Sequence, residues 1–456
     1  MTKEAIEYYE TLINKEDPSQ IEELSTKLQM EMRAEKAMFG DRILCPFLRP
    51  HFITLEQYQQ IQKVVGTLMR AVDKLYQAAL RTKRLRQQLG LTPSEERLMK
   101  IDPGFKGFSV TSRIDSFLSE GALQFVELNA ETPAGIAYQD VLSQIFAKLP
   151  LMKQFSKKYK VHSVGIRAEL AKLLQDIYRE FCKNTGRPKK EFPNIAIVDW
   201  LDVPTRFEFE LFQEFFEKNG FKAIITDPRH LDHIGHKLRS GDFEIDLIYR
   251  RVLTSEFLER LDLDHPMIQA YENQDVCIVN PFRTKFAHKK MIFGLLSDEK
   301  NEKYFSQREK AVIDRHVPWT RRVRQGYTRY KGKKVDLCQF ILDNKDTLVM
   351  KPNDEYGGKG IYIGWESSRA DWAAALTHAL AEDYVVQEKV QVARERFPVI
   401  TNGSVSYDEF IVDMDPYIFH GKYVHGCLTR LSGTALCNVT SGGGQTPTFI
   451  IEKRRR

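Results

Sequence analysis

The stretch from Leu348 to Gly364, LVMKPNDEYGGKGIYIG, constrains this chain more than any other. Its apolar start, Leu348 to Met350, reads as a buried strand running directly into Lys351, and Pro352, which has no N–H to donate, ends the ladder. Lys351 is thereby placed at a strand end. Gly357, Gly358 and Gly360 then surround Lys359, and without β-carbons their backbone can approach a ligand closely and present N–H groups to it. Ile361 to Gly364 reads as a second strand. Two strands joined by a glycine-and-lysine flap make a clamp suited to nucleotide phosphates. A flexible hairpin tip with solvated lysines would have the same residues.

A second polar pattern stands far upstream. Residues 108–135, FSVTSRIDSFLSEGALQFVELNAETPAG, read as short strands around a turn at Ser119-Glu120-Gly121. Residues two apart on a strand share a face, so Arg113 goes with Asp115 and Glu127 with Asn129, and a hairpin brings both pairs together. Two carboxylates and an amide oxygen are hard ligands suited to Mg²⁺, which keeps waters and takes further ligands from substrate phosphates. The wet face of an ordinary hairpin alternates in the same way. The turn that follows, Ala130 to Gly135, can set Glu131 and Thr132 beside such a metal.

Around these two patterns the chain changes character several times. Residues 1–100 read as a helical scaffold: Asp17-Pro18-Ser19 breaks one helix and starts another, and Thr54-x-x-Gln57 opens an amphipathic run to about Leu89. Thr92-Pro93-Ser94-Glu95 repeats the start signal. From Pro193 strands alternate with helices: IAIVDW, the helix Glu208 to Lys218, KAIITD, IDLIYRRV and VCIVNPF predict a small open parallel sheet. Arg250 and Arg251, at a strand end, read as surface arginines or as a grip on a substrate carboxylate. Residues 284–345 are basic and helix-rich, with His288-Lys289-Lys290 opening an amphipathic segment that ends near Asp298, and the charged stretch Asp298 to Lys310 and the Arg321-Arg322 pair read as a solvated linker, since aromatic residues are not interleaved as RNA stacking requires. A helix from about Arg369 to Leu380 and the strand YVVQEKV follow the flap, and backbone near Gln387 to Val390 can receive an adenine. The end of the chain is strand-rich, with Arg430-Leu431-Ser432 and the run Asn438 to Gly444, NVTSGGG.

Composition excludes several classes. Hydrophobic residues are 42% and charged residues 29%, which argues against extensive disorder, and a net charge of +6 does not by itself imply a nucleic-acid partner. There is no G-x-G-x-x-G, so a Rossmann dinucleotide site is not supported. The cysteines, Cys45, Cys182, Cys277, Cys338, Cys427 and Cys437, contain no C-x-x-C pair and read as reduced thiols. No run of about 18 apolar residues and no signal-type N-terminus occur, so a cytoplasmic protein without a membrane partner is expected.

Together these stretches resemble the ATP-grasp superfamily, and their order is informative. The ordinary arrangement places the lysine strand and glycine flap first, then the hinge, then the hairpin with R-x-D and E-x-N. Here the hairpin, Arg113-Ile114-Asp115 and Glu127-Leu128-Asn129, comes before the flap. KPNDEYGGKG, VVQE, LTRLS and NVTSGGG look most like the circularly permuted type 2 ATP-grasp proteins of the glutathionylspermidine synthase-like group, over roughly residues 105–450. The expected fold is α/β, in four parts: a helical region 1–104, a metal-hairpin part 105–150, a pre-ATP-grasp-like α/β subdomain 151–283, and an ATP-binding part 284–456.

The resemblance implies Asp115, Glu127 and Asn129 as Mg²⁺ ligands and Arg113 as the arginine at the transferring phosphate or acyl intermediate. It implies Lys351 and Gly357, Gly358, Lys359 and Gly360 as ATP-phosphate groups, and Gln387 and Glu388 at the adenine hinge, with Gln where an acidic residue is often first. Lys290, with Lys289 as its rival, matches an earlier ATP lysine, and Arg430 falls in a segment facing the substrate. The implied activity is an ATP- and Mg²⁺-dependent ligase that joins a small-molecule or peptide carboxylate to an amine or thiol through an acyl phosphate. A small-molecule kinase or an inactive nucleotide-binding protein would keep the same clamp. The missing amidase half leaves polyamine specificity unsupported.

Overall fold

The computed structural model describes residues 1–119, 122–401, 404–435 and 443–454. The turn residues Glu120 and Gly121, Cys437 and the NVTSG part of the glycine run lie outside the described residues.

Helix starts follow the local chemistry. Asp17, Thr54 and Thr92 each accept the backbone N–H three residues on, while Gln20, Gln57 and Glu95 reach back to close capping boxes. The amphipathic run predicted to end near Leu89 is divided into Leu55–Arg81 and Lys83–Leu89, because Thr82 is extended. Arg86 closes the break by donating to the carbonyls of Ala79 and Leu80.

A six-stranded antiparallel sheet carries the hairpin of Arg113, Asp115, Glu127 and Asn129. Its order is Gly444–Thr446, Tyr423–Ser432, Ser404–Phe419, Thr111–Ser119, Ala122–Asn129, with Ala393–Thr401 also paired to Ser404–Phe419. The hairpin has the register its alternation requires: Arg113 faces Asn129 and Asp115 faces Glu127. Its first strand is sewn to the far end of the chain by Tyr417↔Arg113, Ile418↔Ser112 and Phe419↔Thr111.

The flap strand Leu348–Pro352 lies in a four-stranded antiparallel sheet between Tyr384–Glu388 and Tyr362–Ile363, with Thr320–Arg322 at the opposite edge. Pro352 is the last residue of its strand. The four segments predicted to form a parallel sheet do so, in the order Cys277–Val279, Leu247–Arg250, Ile195–Val198, Ala223–Thr226. Near the start of the chain, His51–Thr54 pairs in parallel with Thr448–Lys453.

Two readings are corrected by burial. The segment expected to be an amphipathic helix is interior on every side: Lys285–His288 and Met291–Leu296 are buried helices packed under the long helix Leu55–Arg81. Arg250 and Arg251 are also buried rather than on the surface. Their guanidiniums meet Glu131 at 3.3 Å and Glu208 at 3.2 Å, so they satisfy carboxylates of the protein itself. Cys45, Cys182, Cys277, Cys338 and Cys427 are free thiols, and no described helix is long and apolar enough to cross a membrane.

Candidate active site

A cavity of about 970 Å³ lies between the hairpin of Thr111–Ser119 and Ala122–Asn129, the flap and the parallel sheet. Arg113, Asp115, Glu127, Asn129, Lys351, Gly357, Gly358, Lys359, Gln387, Glu388 and Arg430 all line it. Of the residues expected at the site, Lys290 and Gly360 are not on its lining.

A carboxylate cluster lies at the cavity floor, where Asp115 and Asp413 are on the lining and Asp415 is fully buried beside them. Asp115, Asp413 and Asp415 each offer an oxygen within 4.8 Å of the others, and all three are buried. Local structure explains the convergence. Asp413 and Asp415 are two apart on Ser404–Phe419 and so share a face, and Asp413 stands opposite Arg430 on the neighbouring strand. A bulge after Asp115 frees the Ser116 N–H to donate to Asp415 at 3.1 Å. Arg430 contacts all three aspartates, at 2.6 Å from Asp115, 2.5 Å from Asp413 and 2.9 Å from Asp415. Arg113 reaches Asp115 at 3.0 Å and Asp415 at 3.5 Å. The Asn129 amide donates to Asp115 at 2.9 Å, and Glu127 lies 3.3 Å from Lys290.

Two arginines among three buried carboxylates leave an excess of negative charge. Burial opposes ionisation of Asp115, but Arg113 and Arg430 outweigh it and hold that carboxyl well below the usual range. Burial wins at Asp415 and Asp413, whose carboxyls are both pushed up despite Arg430. Asp413 Oδ1 is buried and, among the described residues, has no hydrogen-bond partner. Three clustered carboxylates with an unsatisfied acceptor are a hard-oxygen donor set that fits Mg²⁺. The sequence reading missed Asp413 and Asp415, although the alternation in V-D-M-D-P marks their shared face.

The opposite side of the cavity is cationic. Lys351 opens onto the cavity from the end of its strand, and its ammonium donates to the Gln387 side chain at 2.8 Å. Burial, opposed by Glu127 and assisted by Lys290, pulls that ammonium down to about 8. Gln387 is fixed in turn by a 3.1 Å hydrogen bond to Thr320. The flap glycines Gly357, Gly358 and Gly360 all have left-handed φ, the conformation that glycine tolerates. Lys290 donates to the Glu355 carbonyl beneath the flap, while Lys289 is occupied by Glu95 at 3.1 Å and Asp354 at 2.9 Å.

Near the hinge, the N–H groups of Glu388 and Lys389 are taken by the carbonyls of Trp319 and Thr347, and the Glu388 carboxylate accepts from Tyr330 at 2.8 Å. Glu131 is not beside the aspartate cluster. It is fully buried in a separate network with Arg250, Lys285 and Thr254, whereas Thr132 does line the cavity.

The fold is mixed α/β, of the glutathione synthetase and ATP-grasp-like type. Among solved structures, a glutathione synthetase-like effector from Globodera pallida, in its apo form, has a TM-score of 0.60 to this chain at 13% identity, covering 96% of this chain and 98% of that one. In sequence, an uncharacterized protein of Synechocystis sp. is 27% identical over 252 residues, 51% of this chain and 47% of that protein. A putative glutamate–cysteine ligase of Frankia casuarinae is 25% identical over 218 residues, 45% of this chain and 23% of that protein. These matches therefore span less than half of either curated relative. No protein-family model matches the sequence.

Proposed function

We propose that the chain is an ATP- and Mg²⁺-dependent ligase that joins a small-molecule or peptide carboxylate to an amine or thiol, by way of an acyl phosphate, and releases ADP and phosphate. The observation that carries this reading is the meeting, at one cavity, of a lysine-and-glycine flap and a three-carboxylate cluster of which Asp115 and Asp413 are on the lining. The kinship with putative glutamate–cysteine ligases supports the same class of chemistry.

Phosphoryl transfer asks a protein mainly for positioning and charge neutralisation. Lys351, Lys359 and the flap amides are placed to hold the triphosphate, with Lys290 supporting the flap from below. Asp115, Asp413 and Asp415 would hold Mg²⁺, with Glu127 and Asn129 at the rim. When bound, the cation supplies neutralisation of phosphate charge. Arg113 and Arg430 are positioned by the aspartates on the cavity floor to stabilise the acyl phosphate and the tetrahedral species that follows it. Gln387 and Glu388 border the adenine side.

The motif order supports a circularly permuted ATP-grasp domain of the type 2, glutathionylspermidine synthase-like group. In this arrangement parts 105–150 and 284–456 form one domain around the α/β subdomain 151–283, after the region 1–104. The pairing of Thr111–Ser119 with Ser404–Phe419 supports that assignment.

The test is Mg²⁺-dependent ADP release by the wild type and by Glu127→Ala and Asp413→Asn, against pools of carboxylic acids mixed with amines and thiols, with new masses read by mass spectrometry. ADP release coupled to a condensed product, and lost in Asp413→Asn, is expected. A phosphorylated product without condensation would replace the ligase by a kinase, and tight ATP binding without turnover would replace it by a binding protein.

A further inference from the structure

One part of the cavity is not used by the phosphate and carboxylate chemistry: the crevice at the edge of the parallel sheet. The strand order of that sheet reverses at Ile195–Val198, because the chain passes first to Ala223–Thr226 on one side and later to Leu247–Arg250 on the other. In open parallel sheets a ligand crevice forms outside the carboxyl ends of the strands at such a switch point. Asp199 follows the first of these strands and Arg251 follows its neighbour, and both line the cavity.

Their situations differ. The Arg251 guanidinium is committed to the Pro133 carbonyl at 2.9 Å and to Glu208 at 3.2 Å. Asp199 has no such partner. It is 8% exposed, and one carboxylate oxygen accepts the Trp200 N–H at 2.8 Å. Among the described residues, no hydrogen bond or ion pair reaches the other oxygen. Burial pushes the Asp199 carboxyl up to about 7, against the Trp200 N–H and the Arg251 charge, and Glu256 and Asp227 push in the same direction. A buried carboxylate in a cleft without a matched cation has the character of a binding group. Glu256 stands on the same cavity wall, in the helix Thr254–Arg260, and accepts the hydroxyl of the flap residue Tyr356 at 2.8 Å. The flap thus roofs the anionic corner.

We propose that the Asp199–Glu256 corner receives the ammonium group of the second substrate and that the free oxygen of Asp199 takes the proton that nitrogen loses before it attacks the acyl phosphate, so that the enzyme takes a primary amine rather than a thiol. The assignment rests on the ligase reading above. An ammonium supplies the donors and the charge that the second oxygen of Asp199 is missing. A neutral thiol supplies no charge and only a weak S–H donor, and a thiolate would be repelled by both carboxylates.

The test separates binding from turnover. Saturation-transfer NMR with n-butylamine and glycine amide, and with butane-1-thiol as the uncharged control, is run on the wild type and Asp199→Asn in the presence of a non-hydrolysable ATP analogue. Amine signals in the wild type, at least tenfold weaker in Asp199→Asn with analogue affinity unchanged, are expected. In the ADP-release assay the same variant should raise the amine KM at least tenfold while leaving the ATP KM in place. Equal amine binding by both proteins, or preference for the thiol, would overturn the assignment. Asp199-dependent amine binding without ADP release from any substrate pair would keep the corner as an amine site but refute the ligase reading, and with it the acceptor role.

Discussion

Replacing Asp415 by Asn distinguishes the cost of the carboxylate cluster when bare from its gain with a cation. The three aspartates offer oxygens within 4.8 Å of one another. At an effective dielectric of about 20, two full charges at that separation repel by about 3.5 kcal/mol. Arg430 at 2.9 Å and Arg113 at 3.5 Å offset part of this at Asp415. Burial still pushes the Asp415 carboxyl well above its ordinary value, opposed by Arg430 and reinforced by the charges of Asp115 and Asp413. The bare cluster therefore favours a neutral group at this position. In EDTA, Asp415→Asn should change the unfolding free energy by no more than about 1 kcal/mol, the scale of one exchanged hydrogen bond. With Mg²⁺ or Mn²⁺ at a hundred times its Kd, cation binding stabilises the wild type by about 2.7 kcal/mol, and the variant, short of one anionic ligand, should lose most of that gain. Urea unfolding followed by tryptophan fluorescence, with cation and with EDTA, reads both quantities. A variant that lost several kcal/mol in EDTA yet kept the full cation-dependent gain would refute the reasoning, leaving the aspartates as an ordinary ion-pair network.

Three further outcomes are expected. Lys351, held at about 8, is charged below that pH and loses its proton above it, so ATP-analogue affinity should be level up to about pH 7 and weaken as pH rises through 8. Titration calorimetry from pH 6.5 to 9.5 checks this, and Lys351→Arg, charged throughout, should flatten the curve. Glu131→Gln leaves the buried Arg250, now 3.3 Å from the carboxylate, without its counter-charge and leaves Lys285 only Asp354 and Glu95, at a cost of about 3–5 kcal/mol in urea unfolding at pH 7. Burial raises the Glu131 carboxyl, but Lys285 and Arg250 outweigh it and hold it at about 2. Its stabilisation is complete above the ordinary carboxylate range and is lost as pH falls toward 2, so wild type and variant should converge in acid. Gly364→Ala would put a β-carbon 1.8 Å from the Lys345 carbonyl oxygen and 2.7 Å from that of Leu348, and should abolish soluble expression at 37 °C.

Much of this architecture was legible because its signals are local. The capping boxes at Asp17, Thr54 and Thr92 each need only four residues, and the alternation through Arg113, Asp115, Glu127 and Asn129 fixes which side chains share a face. What escaped depends on pairing across the chain. V-D-M-D-P shows that Asp413 and Asp415 share a face, but only the pairing of their strand with Thr111–Ser119 turns that face toward Asp115. Lys285, Lys289 and Lys290 give a basic local composition that reads as solvated, yet Glu131, Glu95, Asp354 and Glu127 neutralise them in the interior. Asp199 ends an apolar strand in the manner of many surface residues. Only the folded chain sets it on the cavity wall with Glu256 and the flap residue Tyr356.

The junction between Thr111–Ser119 and Ser404–Phe419 also bears on how the protein is made. Asp115 leaves the ribosome nearly three hundred residues before Asp413, with the whole parallel sheet synthesised between them. The aspartate cluster cannot exist on the nascent chain until Ser404–Phe419 has emerged and slotted against a strand that has waited unpaired along that edge. A fragment ending after the flap would carry Lys351 and the glycines but only one of the three clustered aspartates. Until then the chain from Thr111 to Val279 has its hairpin, its parallel sheet and the Arg250–Glu131 pair to hold its shape.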